Sequence, residues 1–222
     1  MTWLALAVLM CAPAGESMTA TLVEGPVTVA GAPIVTGAVL QPGDTVETQA
    51  GGRAEIALPG GSLLRIGENT RLTLSPVPAR SEFSARLFFG NLWARVHKLA
   101  AGETFRVETE NGVAGVRGTE FRVEAGQQEP DLVRVYEGTV QVEARDGRWS
   151  HALEAGTGLR FRREAETPQA FDTRSESGHS FMEWVRSRKT ADGFEPGRIR
   201  RAEMRNPEQE HRTRERVRRR DR

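Results

Sequence analysis

The segment from Gly115 to Val123, G-V-R-G-T-E-F-R-V, constrains the fold of this 222-residue chain more than any other stretch. After Gly118, apolar and polar side chains alternate with a period of two, which predicts a β-strand. Thr119 and Phe121 share the apolar face, and the opposite face is predicted to lie in water. A glycine at the start of a strand favours a bend or a close approach of another backbone, and a threonine hydroxyl can bond backbone groups at a bend. We therefore interpret this segment as a corner of an all-β domain.

Glycine and proline turn signals divide the rest of the region into short alternating runs. Asn111-Gly112 and Asp146-Gly147 are typical of tight hairpins. Between Val23 and Phe161 the pattern predicts about fourteen short strands, a number that fits strands of 5–6 residues. Such spacing predicts one all-β domain, built as a sandwich, a barrel or a solenoid.

The most apolar stretch runs from Ala85 to Val96. Gly90-Asn91 at its centre predicts another tight hairpin. Trp93 has the opposite parity to its apolar neighbours, so it must meet another layer or a partner. We expect a tryptophan buried under the C-terminal part of the chain, with a binding hot spot as the alternative, since interfaces favour this residue.

V-R-G-T-E-F resembles the V-x-G-T-x-F signature of the FecR domain, a family named after an iron-citrate transport regulator. Further motifs follow the family order, namely Q-P-G-D-T-V-E-T, the strand-turn-strand segment Gly51 to Gly67, E-G-T-V at Glu137 to Val140, and Glu154-Ala155-Gly156. The resemblance covers Val23 to Phe161 and implies a twisted, solenoid-like stack of strands over residues 23–162, with sandwich-like packing as the alternative. The motif residues to which it assigns a structural role are Gly43, Asp44, Gly115, Gly118, Thr119, Phe121 and Gly138.

The amino terminus has the features of an export signal. An apolar run from Trp3 to Cys11 precedes Ala12-Pro13-Ala14, which predicts a signal peptide over residues 1–14 and a periplasmic or otherwise extracytoplasmic protein. Cys11 is the only cysteine, so cleavage after Ala14 excludes disulfides and cysteine ligands from the mature chain. The alternative is a lipoprotein anchored through Cys11.

The composition changes after the β region. Residues 163–178 are polar and predict a linker, and residues 179–190 predict a short amphipathic helix. Ser180 and Glu183 suit a capping box, while Phe181, Trp184 and Val185 form the apolar side of the helix.

Residues 191–222 are predicted to be a disordered basic tail. An exported tail does not meet nucleic acid. We therefore expect its partner to be an anionic envelope surface or an envelope protein, with peripheral contact to the membrane as a further option. The arginines that could make such contacts are Arg212, Arg214, Arg216, Arg218, Arg219, Arg220 and Arg222.

No catalytic pattern is evident. The histidines His97, His151, His179 and His211 lack the mutual spacing of a metal motif, and neither a nucleophile elbow nor a phosphate loop occurs. The sequence therefore predicts a protein without enzymatic activity, cofactor or metal.

Three functions are compatible with these features. The first is a non-enzymatic exported FecR-domain protein that binds or senses a partner in the bacterial cell envelope. The second is a FecR-type regulator of transmembrane signalling to a sigma factor, which the absence of a recognisable cytoplasmic domain and of a transmembrane helix before the body makes less favoured. The third is a β-solenoid carbohydrate-active enzyme, which rests on analogy of fold alone.

Overall fold

The computed structural model describes residues 17–75, 82–101, 103–162, 164–172, 176 and 178–188. These residues form seventeen strands, one α-helix and one short 3-10 helix at Pro59–Gly61. The strands are β1 (Met18–Glu24), β2 (Val27–Val29), β3 (Ala32–Pro33), β4 (Val39–Leu40), β5 (Thr45–Thr48), β6 (Arg53–Ala57), β7 (Leu63–Ile66), β8 (Thr70–Leu74), β9 (Glu82–Arg95), β10 (Thr104–Glu108), β11 (Gly112–Val116), β12 (Glu120–Ala125), β13 (Asp131–Glu137), β14 (Thr139–Ala144), β15 (Ser150–Glu154), β16 (Thr157–Phe161) and β17 (Gln169–Ala170). The prediction of an all-β domain with a short C-terminal helix is confirmed. Three strands have only two residues, and the other fourteen agree with the predicted number.

The strands form two sheets that pack face to face as a sandwich. The helix-side sheet has the order β4-β1-β6-β7-β9-β12-β13-β16-β17. The solvent-side sheet has the order β3-β2-β5-β8-β9-β10-β11-β14-β15. All of these pairings are antiparallel except that of β9 with β10. The sandwich-like alternative of the fold prediction is therefore the one that the structure shows.

Strand β9 belongs to both sheets, and it replaces the hairpin predicted at Gly90-Asn91. Its first part pairs with β8 and β10, and its second part pairs with β7 and β12. The bend is at Gly90, whose φ is 100° and where a Cβ atom would overlap Thr70. The hairpin prediction was wrong because a strand that crosses between the sheets of a sandwich must also exchange its inward and outward faces. Leu87 and Leu92 consequently both reach the core, as they would across a hairpin.

The core between the sheets is apolar and takes residues from nearly every strand. Phe121 of β12 is completely buried and meets Phe105 of β10 edge to face, with ring centroids 6.4 Å apart. Phe105 in turn stacks on Phe83 at 5.1 Å. Phe121 therefore lies in the core, as predicted, and belongs to an aromatic cluster that joins the two sheets.

Replacing Phe121 with alanine is expected to destabilise the protein by about 3–5 kcal/mol, because the change opens a cavity between the sheets. Urea unfolding of the two purified proteins measures the difference. The matched control is Phe88→Ala, since Phe88 is 39% exposed on the outer face of the solvent-side sheet. A loss at position 121 no larger than the loss at position 88 would contradict the assigned core position.

The part of the chain that follows the sandwich packs back onto the helix-side sheet. Residues 163–178, predicted as a linker, include β17, which pairs with β16, and Glu176, which is 1% exposed. The helix α1 spans Ser180–Ser187, and its N-cap is His179. The capping box between Ser180 and Glu183 is absent, because the Glu183 carboxylate instead accepts from the Gly178 backbone N–H at 2.9 Å.

The predicted signal peptide, with Cys11, lies outside the described residues, and so do the basic tail and its arginines.

Candidate functional site: a charged seam under helix α1

Helix α1 covers the outer face of the helix-side sheet. Its apolar residues Phe181, Met182, Trp184 and Val185 are buried against Trp93 of β9 and Tyr136 of β13. The predicted docking of the helix through Phe181, Trp184 and Val185 is confirmed. This second apolar cluster is separate from the core between the sheets.

Charged side chains surround this apolar cluster, and we call the whole interface the seam. Its sheet residues are Arg65, Trp93, Glu120, Arg122, Arg134 and Tyr136, and its remaining residues are Glu176, His179 and helix α1. Glu120 and Arg122 are 1% and 2% exposed. The prediction that this face of β12 lies in water was wrong, because a distant segment returns to cover it.

Arg65 of β7 holds the carboxyl end of α1. Its guanidinium donates to the Val185 carbonyl at 2.9 Å and to the Arg188 carbonyl at 3.2 Å. A cation at this end of a helix satisfies free carbonyl groups and opposes the helix dipole. Glu55 accepts from Arg65 Nε at 2.8 Å, and the guanidinium lies over the Trp93 ring, 4.9 Å from the centroid. Burial lowers the pKa of Arg65, while the contact with Glu55 opposes that effect.

Trp93 is anchored by its indole N–H, which donates to Glu120 Oε1 at 2.9 Å. The side chain is completely buried. The structure therefore places Trp93 under the C-terminal segment, as expected, and away from any free surface of the described residues. On the helix, the Trp184 indole N–H donates to Glu24 of β1 at 2.8 Å.

The Glu176 carboxylate is the centre of the opposite end of the seam. Its oxygens accept from Arg122 Nη1 at 3.1 Å, Arg134 Nη1 at 2.9 Å and Arg186 Nη2 at 3.1 Å. The Tyr136 hydroxyl lies 2.9 Å from both carboxylate oxygens. Burial, followed by the negative charge of Glu176, raises the pKa of Tyr136 well above its ordinary value, so this hydroxyl stays a donor. Three cations and one hydroxyl thus converge on one buried carboxylate.

Arg122 is positioned by Asn91 of β9, by Glu124 of its own strand and by His179 at the start of α1. Asn91 Oδ1 accepts from Arg122 Nε at 3.1 Å and from Nη2 at 2.7 Å. Glu124 accepts from Nη2 at 2.6 Å, and His179 Nε2 lies 2.6 Å from the same nitrogen. Arg122 can only donate, so in this contact the unprotonated Nε2 of a neutral His179 accepts, sharing the two Nη2 hydrogens with Asn91 and Glu124. Burial, and then the Arg122 charge, lowers the pKa of His179, against the smaller opposing influence of Glu124 and Glu176.

Acid is expected to loosen the seam through His179. Its folded pKa lies below the unfolded value of about 6.5, so the unfolded chain binds the proton more readily. The contribution to stability is complete above about pH 6.5 and is lost as the pH falls below it. Unfolding free energies from pH 7.5 to 5 are expected to fall less steeply in His179→Gln than in the parent. The control His151→Gln lies on β15, away from the seam, and should keep the parent slope; equal slopes in all three proteins would contradict the assignment.

The predicted corner is formed by Gly118 and the residues beside it. It joins β11 of the solvent-side sheet to β12 of the helix-side sheet. Gly118 has a φ of 130°, and a Cβ atom there would lie 2.9 Å from Lys98 Cα. The Thr119 backbone exchanges two hydrogen bonds with Val96, at 2.8 and 3.1 Å. The Thr119 hydroxyl has no hydrogen-bond partner among the described residues. The backbone hydrogen bonds to Val96, and not the hydroxyl, therefore hold the chain at the bend.

The other motif residues also have structural positions. Gly138, with a φ of 80°, packs on the corner, since a Cβ atom there would lie 2.7 Å from the Gly118 carbonyl oxygen. Gly43 has a φ of 96°, and the following Asp44 carboxylate accepts from the Gln41 N–H at 2.7 Å in the same turn. Gly115 lies in β11 and has no comparable constraint, because a Cβ atom there would meet the Gln141 carbonyl oxygen only at 3.9 Å.

The sequence interpretation missed most of the seam. Arg65, Arg122 and Tyr136 are outward-facing residues of alternating strands, which is the ordinary place for side chains in water. The available signal was a pair of large aromatic residues, Trp93 and Tyr136, with the outward parity. Glu176 gave no signal, because it lies in a polar, aperiodic stretch.

The seam is suited to fastening one chain segment to a sheet. Among residues 17–188 that the structure describes, no group of three or more histidine, cysteine, aspartate or glutamate side chains is placed to hold a metal ion. In the same part of the chain, no helix is long and apolar enough to cross a membrane.

Comparison with known proteins supports the assignment of the family. Two crystal structures, each described as a "putative anti-sigma factor from Parabacteroides distasonis ATCC 8503", share the fold with a TM-score of 0.54 and 18% identity. The alignments cover 62% and 67% of this chain, and the chain spans 63% and 70% of those proteins. The sequence matches no curated protein significantly. The family model described as FecR protein matches residues 44–141, from the Gly43-Asp44 turn to β14, so this part of the chain is similar to a FecR domain.

Proposed function

We propose that this FecR-domain protein is a non-enzymatic binding or sensing module that acts in the bacterial cell envelope. The observation that supports the proposal is that the buried ionisable groups are already bonded to other parts of the protein. Arg65, Arg122 and Glu176 each bond to groups of other elements, whereas a catalytic group has to be available to a substrate. The FecR match supports an envelope role.

Affinity capture tests this function. The full-length protein and a shortened chain that ends at Gly197 would each be cross-linked in an envelope extract of the native host. We expect both chains to retain the same envelope protein, because the described β body is unchanged in the shortened chain. Release of sugars from envelope glycans by the purified protein would instead support the carbohydrate-active alternative and contradict the proposal.

A second candidate is regulation of a sigma factor through transmembrane signalling. It is favoured by the two structures of similar fold that are described as putative anti-sigma factors. Deletion of the gene in the native host should then change the transcription of a defined set of promoters, and the protein should fractionate with membranes. A protein found only in the soluble envelope fraction, with unchanged transcription, would leave the binding module as the function.

The basic tail is proposed to add contact with an anionic envelope surface. Each basic residue near a charged membrane contributes about 1 kcal/mol, and the attraction weakens as the Debye length falls from about 10 Å at 0.1 M salt to about 3 Å at 1 M. The full-length protein is therefore expected to bind vesicles containing anionic lipid at low salt and to leave them at 1 M salt. The chain that ends at Gly197 should not bind them at either salt concentration. Binding by both chains alike would place the contact on the body.

A further inference from the structure

We propose that Arg122, Arg134 and Tyr136 form a receptor for the carboxylate of an acidic side chain, which Glu176 occupies until an acidic residue of a partner protein replaces it. The inference rests on the proposed binding function and names the chemistry of the partner. It begins from the five hydrogen-bond contacts of 2.9–3.1 Å that converge on the Glu176 carboxylate.

The receptor is held in place by residues other than Glu176. Arg122 is fixed by the two hydrogen bonds to Asn91, and Tyr136 meets the Phe171 ring edge to face, with centroids 5.6 Å apart. The Arg134 guanidinium lies over the same Phe171 ring at 5.0 Å. Donors that are oriented in advance lose little freedom when a carboxylate binds, which is the property expected of a receptor.

A receptor without a bound carboxylate would be unstable, because it contains a buried positive charge. Arg122 is 2% exposed, and removal of Glu176 would leave its buried guanidinium with the partly exposed Glu124 as its remaining carboxylate contact. Breaking a buried ion pair by removing one partner is strongly unfavourable. Glu176 therefore leaves readily only when a second carboxylate takes its place, so that opening is coupled to the binding of an acidic partner.

The segment that carries Glu176 is attached in a way that permits exchange. The backbone–backbone hydrogen bonds of the described residues 176 and 178–188 lie within that segment, such as His179 N–H to the Glu176 carbonyl at 3.1 Å. Side chains make its contacts with the sheet. No strand ladder of these described residues has to be broken for a partner to take over the site.

An apolar surface lies beside the receptor and indicates which further residues a partner must carry. Phe181 and Met182 pack there against Trp93, with Leu22 and Leu63 at the edge. A matching partner carries an acidic residue followed, within two helical turns, by adjacent apolar residues. The chain's own residues 176–188 have this pattern and serve as the probe.

The test is a binding titration of a fluorescently labelled peptide of residues 176–188 with full-length proteins. In the parent, the internal segment competes at an effective concentration in the mM range for a short linker. We expect the peptide to bind the double variant Glu176→Ala, Trp184→Ala at least 10-fold more tightly than the parent. The matched control, Glu143→Ala with Trp184→Ala, retains Glu176 and changes an exposed glutamate of β14; it should bind at least 10-fold more weakly than the double variant.

A second peptide with glutamine in place of its first glutamate isolates the carboxylate. It should lose at least 10-fold in affinity for the Glu176→Ala, Trp184→Ala protein. Equal binding of both peptides, or equal binding to all three proteins, overturns the proposal. Failure of this titration leaves the envelope-capture result untouched, since the titration uses only purified protein and peptide.

A thermal measurement keeps the test valid if the double variant does not fold. The midpoint of Glu176→Ala is expected to be several degrees higher in acetate than in chloride of equal ionic strength, because acetate fills the receptor. The parent and Glu176→Gln give the general effect of the two anions on stability, and their midpoints should shift less than that of Glu176→Ala. A shift of Glu176→Ala no larger than that of the parent would overturn the existence of a carboxylate receptor.

Discussion

Replacing Arg122 with alanine is expected to lower the free energy of unfolding by about 3–5 kcal/mol, because the change leaves a buried carboxylate without one of its cations. Glu176 would keep Arg134 and Arg186, which are 20% and 27% exposed, whereas Arg122 is 2% exposed. The loss of the hydrogen bonds to Asn91 adds to the cost. Urea unfolding gives the magnitude.

The solvent-side sheet provides the control for this prediction. Arg71 and Glu47 form an ion pair of 3.3 Å with side chains 48% and 49% exposed, and exposed pairs contribute about 0–1 kcal/mol. Arg71→Ala should therefore cost no more than about 1 kcal/mol. If Arg122→Ala costs as little as Arg71→Ala, the ion pairs of the seam contribute little to stability and the prediction is wrong.

Replacing Gly118 with alanine is expected to destabilise the protein by at least about 1–3 kcal/mol, the usual cost of a non-glycine residue in a sparsely populated backbone region. The added Cβ atom would also press on Lys98 Cα at 2.9 Å, so the backbone of the corner has to shift. Gly138 packs on the same corner, and the shift should extend to the β13–β14 connection. Thermal unfolding and urea unfolding both measure this loss.

Gly115 is the matched control for the corner, since it lies three residues earlier in the same motif. Its φ is outside the positive range, and a Cβ atom would meet nothing closer than 3.9 Å. Gly115→Ala should change the unfolding free energy little, or raise it by up to about 1 kcal/mol by restricting the unfolded chain. Equal losses at positions 115 and 118 would contradict the special role of the corner.

The crossing at Gly90 shows why a local pattern can be assigned to the wrong structure. Inward residues change parity between Leu87 and Leu92, and a two-residue hairpin produces the same change of parity. What separates the two is the identity of the strands beside each half, β8 and β10 for one and β7 and β12 for the other. Those pairings depend on residues far away in sequence, so no pattern within β9 can reveal them.

Local patterns in the sequence were sufficient for four predictions: alternation gave the all-β class and the core position of Phe121, the glycine gave the corner at Gly118, and helical spacing gave the apolar side of α1. Each of these depends on neighbours a few residues apart, whose spacing is visible in the chain. Whether the polar face of β12 is buried or exposed to water depends instead on Glu176, 54 residues after Arg122. Whether an arginine on an outward face lies in water or under a helix is decided by what folds back over it, and only the tertiary structure brings Arg122, Tyr136 and Glu176 together.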